Sequence, residues 1–384
     1  MKILAVGGGS GGHVTPVVAV LKELRAIHPE AEIRFWCDAK FSGQAEALIS
    51  SFDPNLRLDR VVSGKLRRYH HLTLIRQLMW PKLVLLNIRD AFLVGFGTIQ
   101  SIIKLIIWRP DVIFAKGGFV CLPVGIAAKI LNIPLAIHDS DALPGLTSRI
   151  LSRWAKVIAT GAPLEYYNYP ADKSKYIGIP ISSDFHKFTG NEVIEARNRW
   201  GINQDRPLIV ITGGGLGAQR INDSVAMALE GLMRLASVVL VSGTGQYDEL
   251  RSLTPENSSD FQLYPFVSED MAGLLGAADI VLARAGATTI LELAALERPT
   301  ILIPNAKLTG GHQIKNAKVY SDAGAVEVII EEDMVADPEL IVKRSKALLQ
   351  DKEHLLMLSR NISEFARPNA AKEMAQMIIN VAGR

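Results

Sequence analysis

Residues 2–13 read Lys2-Ile3-Leu4-Ala5-Val6-Gly7-Gly8-Gly9-Ser10-Gly11-Gly12-His13, a short apolar run that leads into a glycine-rich turn. Glycine lets the backbone approach a ligand closely, and free amide groups at the start of a following helix favour an anion. Apolar residues then recur at helical spacing from Val17 to Leu24, and Pro16 suits the first turn of that helix. The stretch therefore predicts a strand, a turn and a helix that together can bind phosphate.

Two further glycine turns follow apolar runs, Lys116-Gly117-Gly118-Phe119 and Gly213-Gly214-Gly215-Leu216-Gly217-Ala218. The first and the third turns lie about two hundred residues apart, one at the start of each half of the chain. This repetition predicts two Rossmann-like domains that face each other across a cleft, each able to hold a phosphate-bearing ligand. The first turn lacks a clean G-x-G-x-x-G pattern, which disfavours a nicotinamide or flavin cofactor.

The rest of the chain alternates short apolar runs with helical or loop segments in both halves. Runs this apolar are typical of parallel strands covered by helices on both faces, so the predicted fold class is α/β. A length of 384 residues, 48% of them hydrophobic, suits two such domains. We expect an N-terminal domain over residues 1–180, a C-terminal domain over 181–368, and a last helix within 369–384 that packs back on the first domain.

Composition restricts the class of protein. Two cysteines exclude a four-cysteine zinc site and make a disulfide framework improbable, which favours a reducing compartment. Only four apolar residues, Ile3 to Val6, precede the glycines, so this run predicts a buried strand rather than a signal peptide. The net charge of +3 and the lack of a basic-aromatic stripe give no argument for nucleic acid. We expect a cytoplasmic protein.

The segment from Lys65 to Arg109 combines positive charge with large apolar residues. It carries eight basic residues and one acidic residue, Asp90. Its longest uncharged stretch, Ala91 to Ile103, has 13 residues and includes polar ones, whereas spanning a bilayer takes ~20 apolar residues. The segment predicts a helix that lies on an anionic membrane surface. The alternative is that its helices pack within the domain and expose only their basic ends.

Several polar side chains stand where sugar-nucleotide chemistry needs them. His13, at a helix start beside a phosphate loop, could act as a base, contact an anion or only cap the turn. Glu292, one turn inside a helix that follows a strand and a glycine, suits the two hydroxyls of a ribose, or is a solvated helix residue. His312, Gln313 and Asn316 offer directional donors and acceptors for sugar hydroxyls, or cap a helix.

Taken together, these motifs resemble the MurG family of peptidoglycan N-acetylglucosaminyltransferases, which have two Rossmann-like domains in the GT-B arrangement. The resemblance runs over nearly the whole chain and rests on motifs in the family's order. They are Gly8 to Pro16, Lys116 to Val120 with Pro123, His138 with Gly145-Leu146-Thr147, Gly213 to Ala218, Arg284 with Gly286-Ala287 and Glu292, and His312-Gln313 with Asn316-Ala317.

The resemblance implies an inverting transferase that moves N-acetylglucosamine from UDP-GlcNAc to the MurNAc of lipid I, giving lipid II, at the cytoplasmic face of the cell membrane. It implies that the first two turns receive the acceptor diphosphate, through Gly9, Ser10, Gly11, Gly12, Gly117 and Gly118, and that His13 assists deprotonation of the acceptor hydroxyl. It implies a donor site formed by Gly214, Gly215, Leu216, Gly217, Ala218, Val267 at uracil, Thr288, Thr289, Glu292 at ribose, His312, Gln313 and Asn316.

This chain departs from the family pattern in three places, the first of which reads His138-Asp139-Ser140-Asp141 where the family commonly has His-Glu-Gln-Asn. Asp141 stands where the family commonly has an amide, so its carboxylate is a second candidate for the base. Ser182 replaces an arginine often found after the linker proline, and Gly215 and Leu216 replace a Ser-Gln pair. We identify no Asp-x-Asp motif of the type that holds a metal on the donor diphosphate, so no tightly bound cation is expected, and no cofactor is expected either.

Three other functions remain open on the sequence. The chain could be another GT-B transferase on a lipid acceptor, a UDP-sugar epimerase, or a catalytically inactive membrane scaffold.

Overall fold

The structure is a computed structural model of the 384-residue chain. It describes residues 1–8, 11–39, 42–67, 73, 76–77, 79–141, 144–215, 217–267, 269–305 and 311–383, with only the backbone described at 11–13, 44, 47, 48 and 51. The chain divides into two compact units. Unit 1 comprises Met1–Ser182 and Arg367–Arg384, and unit 2 comprises Ser183–Ala366.

Strands and helices alternate in both units. Residues 1–182 hold β1 (Lys2–Gly7), α1 (Gly11–Ile27), β2 (Glu32–Asp38), α2 (Ser42–Phe52), β3 (Arg57–Val61), α3 (Pro81–Ile107), β4 (Val112–Gly117), α4 (Cys121–Ile130), β5 (Leu135–Asp139), α5 (Leu146–Leu151), β6 (Val157–Thr160) and β7 (Ser174–Tyr176). Residues 183–366 hold α6 (Gly190–Arg199), β8 (Leu208–Thr212), α7 (Gln219–Leu235), β9 (Ser237–Val241), α8 (Tyr247–Leu253), β10 (Phe261–Tyr264), α9 (Met271–Gly276), β11 (Ile280–Ala283), α10 (Ala287–Ala295), β12 (Thr300–Leu302), α11 (His312–Asp322), β13 (Glu327–Val328), α12 (Glu331–Ala336), α13 (Glu339–Gln350) and α14 (Lys352–Ser363). The chain then returns to unit 1 with α15 (Ala370–Ala382).

Each unit contains one parallel sheet, which confirms the predicted α/β class. The strand order is β3-β2-β1-β4-β5-β6-β7 in unit 1 and β10-β9-β8-β11-β12-β13 in unit 2. In both sheets the chain first winds outward in one direction and then restarts beside its first strand, which places a topological switch point between β1 and β4 and between β8 and β11. Ligands of such sheets bind beyond the carboxyl ends of the strands at the switch point.

Both faces of the unit 1 sheet are buried. On one face, alternate residues of β1 such as Ile3 and Ala5 share a core with apolar side chains of α1 and α15. On the other face, Leu4 and Val6 share a core with side chains of α3 and α4. The last helix therefore packs within unit 1, because Met374 and Ile378 are wholly buried in that first core.

The sequence did not predict β3. Its residues Arg57 to Val61 are mostly charged, and only Val61 is fully buried, because β3 is the edge strand of the sheet. Pro16 is also placed differently from the prediction, inside α1 instead of in its first turn. Proline removes the bond to the carbonyl four residues earlier, here that of Gly12, and glycine gives the backbone room to adapt there.

Helix α3 is longer than the uncharged stretch Ala91 to Ile103 on which the sequence-based expectation against a membrane span rests. It is a continuous helix of 27 residues, and its most apolar window of 18 residues has a mean hydropathy of 1.6. Length and composition would allow it to span, but core helices of soluble proteins pass the same test. Only 28% of that window is buried. Its buried residues include Val94 and Leu105, which face unit 1.

The unit 2 sheet has the same construction. Ile209 and Ile211 of β8 pack with Ile221 and Val225 of α7 in a core that α12, α13 and α14 extend. Helix α6 begins with a capping box, in which the backbone N–H of Thr189 donates to Glu192 Oε2 at 2.7 Å.

Candidate active site

The first two glycine turns meet at the switch point of unit 1. Gly118 has a φ of +85°, and a Cβ at this position would overlap the Gly8 carbonyl oxygen. Glycine at 118 therefore meets two needs, the left-handed backbone and the close approach of the two turns. Helices α1 and α4 begin beyond these turns. The arrangement directs two helix N-termini, which favour anions, toward the same edge.

The predicted acceptor residues divide into those that the structure describes and those that it does not. Gly117 ends β4 and Gly118 directly follows it, and Gly11 and Gly12 begin α1. Gly9 and Ser10 lie outside the described residues. His13 lies in the first turn of α1, where only the backbone is described.

Asp141, the second candidate base, follows β5 at the same edge of the sheet and is half-buried. Its backbone carbonyl accepts a hydrogen bond of 2.8 Å from the Tyr167 hydroxyl. Tyr167 in turn stacks on Tyr169, with 5.4 Å between the ring centroids. The backbone at Asp141 is therefore held by a hydrogen bond from one member of an aromatic pair.

A buried polar cluster under this loop was missed by the sequence analysis. Lys116 in β4 is 1% exposed, and its Nζ donates to the Ser140 hydroxyl. Burial lowers the pKa of Lys116 to about 8, against the opposing charges of Asp139 and Asp141. The signal in the sequence is a lysine inside the otherwise apolar strand β4.

Asp139 is the second titratable group of this cluster, beside Lys116. It is 6% exposed, and its Oδ2 accepts a hydrogen bond of 2.7 Å from the Tyr169 hydroxyl. Burial raises the pKa of Asp139 to about 7, and the charge of Asp141 raises it further, while Tyr169 and Lys116 act in the opposite direction. Two groups that titrate near neutrality therefore lie next to a candidate base, a pattern common at functional sites.

The third glycine turn lies at the switch point of unit 2. Gly214 has a φ of +77°, and its N–H donates to Thr212 Oγ1 at 3.1 Å. The Gly217 N–H donates to the Gly214 carbonyl at 2.9 Å, which closes the turn before Ala218 and α7. Gly215 is exposed, so its backbone is open to a ligand. Leu216 lies outside the described residues.

Helix α10 begins on the other side of the same switch point, because β11 pairs directly with β8. Thr288 and Thr289 are half-buried in its first turn, and Glu292 follows one turn later. Burial raises the pKa of Glu292 to about 7. Val267, which comes after β10 at the same edge, is half-buried. Glu292, the predicted contact for the ribose, and the third glycine turn therefore lie beyond the carboxyl ends of adjacent strands.

The polar residues of α11 support the loops around them. Gln313 Oε1 accepts the Asn305 N–H at 2.9 Å, and Asn316 Nδ2 donates to the Ala285 carbonyl at 3.2 Å. Asn316 is 3% exposed, so it holds the loop that precedes α10 rather than presenting its amide to solvent. His312 is the half-buried first residue of α11. Within the described part of the chain, no three His, Cys, Asp or Glu side chains form a group that could hold a metal ion.

Two family models match this chain, one in each half. The N-terminal domain of glycosyltransferase family 28 matches residues 3–160, and the C-terminal domain of the same family matches residues 208–374. The chain belongs to glycosyltransferase family 28. The predicted enzyme class, a glycosyltransferase with two Rossmann-like domains, is thereby confirmed.

Relatives within this family are similar over almost their whole length. A protein of Clostridium kluyveri is 34% identical over 90% of this chain and 91% of its own. One of Lachnospira eligens is 35% identical over 89% and 90%. Both are named UDP-N-acetylglucosamine–N-acetylmuramyl-(pentapeptide) pyrophosphoryl-undecaprenol N-acetylglucosamine transferase. The predicted membership of the MurG group of family 28 is confirmed by these relatives.

Solved structures share the fold. The crystal structure of Acinetobacter baumannii MurG matches 99% of both chains with a TM-score of 0.71 at 24% identity. A UDP-GlcNAc 2-epimerase from Neisseria meningitidis bound to UDP-GlcNAc matches with a TM-score of 0.66 at 13% identity. At these identities the likeness describes the fold alone, which family 28 shares with epimerases.

Proposed function

We propose that this protein transfers N-acetylglucosamine from UDP-GlcNAc to the muramyl sugar of lipid I, and so produces lipid II for peptidoglycan. The observation that carries the proposal is the pair of family 28 domains together with relatives of this one name over about nine-tenths of the chain. The epimerase alternative rests on fold likeness at 13% identity, which carries no activity.

We assign the acceptor to unit 1 and the donor to unit 2. Unit 1 offers two glycine turns at one switch point, which suits the diphosphate of a lipid-linked acceptor. Unit 2 offers one glycine turn beside a carboxylate, which suits the diphosphate and the ribose of a nucleotide. Val267, Thr288, Thr289, His312 and Gln313 surround that edge as candidate donor contacts.

The transfer exchanges one bond to the anomeric carbon of N-acetylglucosamine for another. The muramyl hydroxyl oxygen attacks that carbon and loses its proton to a base, while the bond from the carbon to the UDP oxygen breaks with inversion. Negative charge grows on the departing UDP, and the amides of the turn before α7 stabilise it. Our first candidate for the base is His13, and the second is Asp141.

We further propose that α3 docks unit 1 on an anionic membrane at its cytoplasmic face. The outward side of α3 carries exposed apolar residues at helical spacing, namely Leu85, Ile88, Phe92, Phe96, Ile99, Ile103, Ile106 and Ile107. Exposed basic residues lie near its start, Arg76, Lys82 and Arg89. Apolar side chains flanked by positive charge suit the interface of a bilayer with anionic lipids.

Surface docking fits α3 better than a span across the bilayer. Asp90 is 1% exposed in the middle of α3, where it accepts hydrogen bonds from Arg67 and Arg89. Lys104 donates to the Arg60 carbonyl at 3.0 Å. A spanning helix would have to give up the contacts of Asp90 with Arg67 and of Lys104 with Arg60 and place Asp90 in lipid, at a cost of up to ~2.5–3.5 kcal/mol.

The test is turnover by the purified protein with UDP-GlcNAc, with and without a short-chain lipid I analogue. We expect UDP release that depends on the acceptor, together with a disaccharide lipid. Conversion of UDP-GlcNAc to an epimer without acceptor would replace the proposal by an epimerase. If UDP-GlcNAc binds but does not react, although a related transferase uses the same acceptor, the protein would be a catalytically inactive membrane scaffold.

A further inference from the structure

Unit 2 contains a buried ion-pair network that no predicted site residue explains. Glu331, the first residue of α12, is 1% exposed. Its Oε1 accepts from Arg284, and its Oε2 lies 3.3 Å from Arg220 Nη1. Removing a carboxylate and a guanidinium from water is costly, so a pair of this kind persists only when its geometry is well satisfied.

The two arginines stand at the two sides of the switch point. Arg220 is the second residue of α7, directly after the third glycine turn. Arg284 directly follows β11 and leads into Ala285, Gly286 and α10, which carries Glu292. One carboxylate thus connects the helix that follows the glycine turn to the loop that starts the Glu292 helix.

Further contacts of the two arginines extend this network to the end of β12 and to Glu332. Arg284 Nη1 donates to the Ile303 carbonyl at 3.1 Å, at the end of β12. Arg220 Nη1 also lies 3.8 Å from Glu332 Oε1 at the half-exposed side of the network. The loops that follow β8, β11 and β12 therefore share one buried connection at the carboxyl edge of the sheet.

We propose that Glu331 is a positioning residue for the donor site, which sets the spacing between the glycine turn at 213–218 and the Glu292 helix through Arg220 and Arg284. The inference rests on the donor site proposed above. A nucleoside diphosphate that binds across both elements needs its diphosphate and ribose contacts at a fixed separation. Loss of the connection should weaken nucleotide binding more than it slows the chemical step.

The chain offers a matched control at the opposite edge of the same sheet. Arg197 is 7% exposed and donates to Asp279 Oδ2 at 2.8 Å, and this carboxylate also accepts the Leu208 N–H at 2.7 Å. Asp279 precedes β11, at the amino ends of the strands, away from the loops that we assign to the donor. Because the Asp279 side chain is 44% exposed, Asp279→Asn should lower the stability of unit 2 only modestly, without altering the switch point.

The experiment measures UDP affinity by isothermal titration calorimetry on the full chain, with UDP alone as the probe. We expect Glu331→Gln to weaken UDP binding about tenfold, because the two elements that bind the nucleotide lose their fixed separation. Asp279→Asn should leave the affinity within about twofold, because Asp279 is distant from those elements. With acceptor present, Glu331→Gln should raise KM for UDP-GlcNAc by a similar factor and leave kcat within about threefold.

Arg220→Gln is the second test variant and applies if Glu331→Gln fails to fold. Arg220 is half-exposed, and its loss leaves the Arg284–Glu331 pair in place. We expect a UDP affinity about threefold weaker, restored by Arg220→Lys. Unchanged affinity in the Glu331 and Arg220 variants would overturn the inference, as would an equal loss in Asp279→Asn. A wild-type protein that does not bind UDP would instead overturn the donor site itself.

Discussion

The exposed side of α3 gives the sharpest quantitative prediction. Phe92 is 76% exposed and Phe96 is 61% exposed, one turn apart on the proposed docking face. Full burial of a phenylalanine side chain is worth ~1.5–3 kcal/mol, so removing both rings should cost ~2 kcal/mol of membrane affinity once partial immersion is considered. At 1.4 kcal/mol per factor of ten, Phe92→Ala with Phe96→Ala should weaken vesicle partition about thirtyfold.

The assay is co-sedimentation with vesicles of phosphatidylcholine and phosphatidylglycerol over a range of lipid concentration. A matched control is Met227→Ala with Leu253→Ala, because these side chains are 74% and 66% exposed on unit 2. The thermal midpoints of both double variants should stay close to wild type, since exposed side chains contribute little to folding. Equal partition of the Phe92/Phe96 variant and the wild-type protein would refute docking through α3.

Three further predictions concern titratable groups. The raised pKa of Asp139 means that the folded state holds a proton that the unfolded state has lost, so stability should fall as the pH rises from about 4 to about 7. Asp139→Asn, which can still accept from Tyr169, should flatten this fall in urea unfolding curves; an unchanged slope would contradict the assignment. Because the pKa of Glu292 is about 7, UDP affinity should rise between pH 6 and 8, and Glu292→Gln should weaken it about tenfold or more and remove this pH dependence. Loss of the true base should lower kcat by ~10²–10⁴ in His13→Ala or Asp141→Asn, and full turnover in either variant eliminates that residue.

Spacing and residue type predicted the central strands and the family, because both depend on local patterns. Short apolar runs such as Ile3–Val6 that end at a glycine turn favour buried strands, and the order of the turns along the chain matches the family. The edge strand β3 was missed because one exposed side allows Arg57 and Asp59 to occupy it. Periodicity carries no signal for a strand that needs no apolar alternation.

Contacts that depend on tertiary approach could not be predicted in the same way. Lys116 and Ser140 are 24 residues apart, and Arg284 and Glu331 are 47 apart, so nothing local connects them. A sequence shows that these residues are charged or polar but not that they are buried, and burial is what moves the pKa of Lys116. Asn316 shows the same limit, because the sequence indicates a polar amide but not that its Nδ2 donates to the Ala285 carbonyl.

The two switch points use charge differently, although they share one topology. Under the turns of unit 1 lie Lys116 and Asp139, whose pKa values of about 8 and about 7 allow protons to be exchanged near neutrality. Under the turn of unit 2 lie Arg220 and Arg284, and guanidinium groups stay charged at any pH that the fold tolerates. A site that accepts a proton from an incoming hydroxyl benefits from the first arrangement, because its neighbours can adjust their charge. A site that must hold diphosphate and ribose contacts at a fixed separation benefits from the second, because the ion pairs of Arg220 and Arg284 with Glu331 do not change with pH. This difference fits an acceptor in unit 1, where a proton is transferred, and a donor in unit 2, where the nucleotide contacts must keep a fixed spacing.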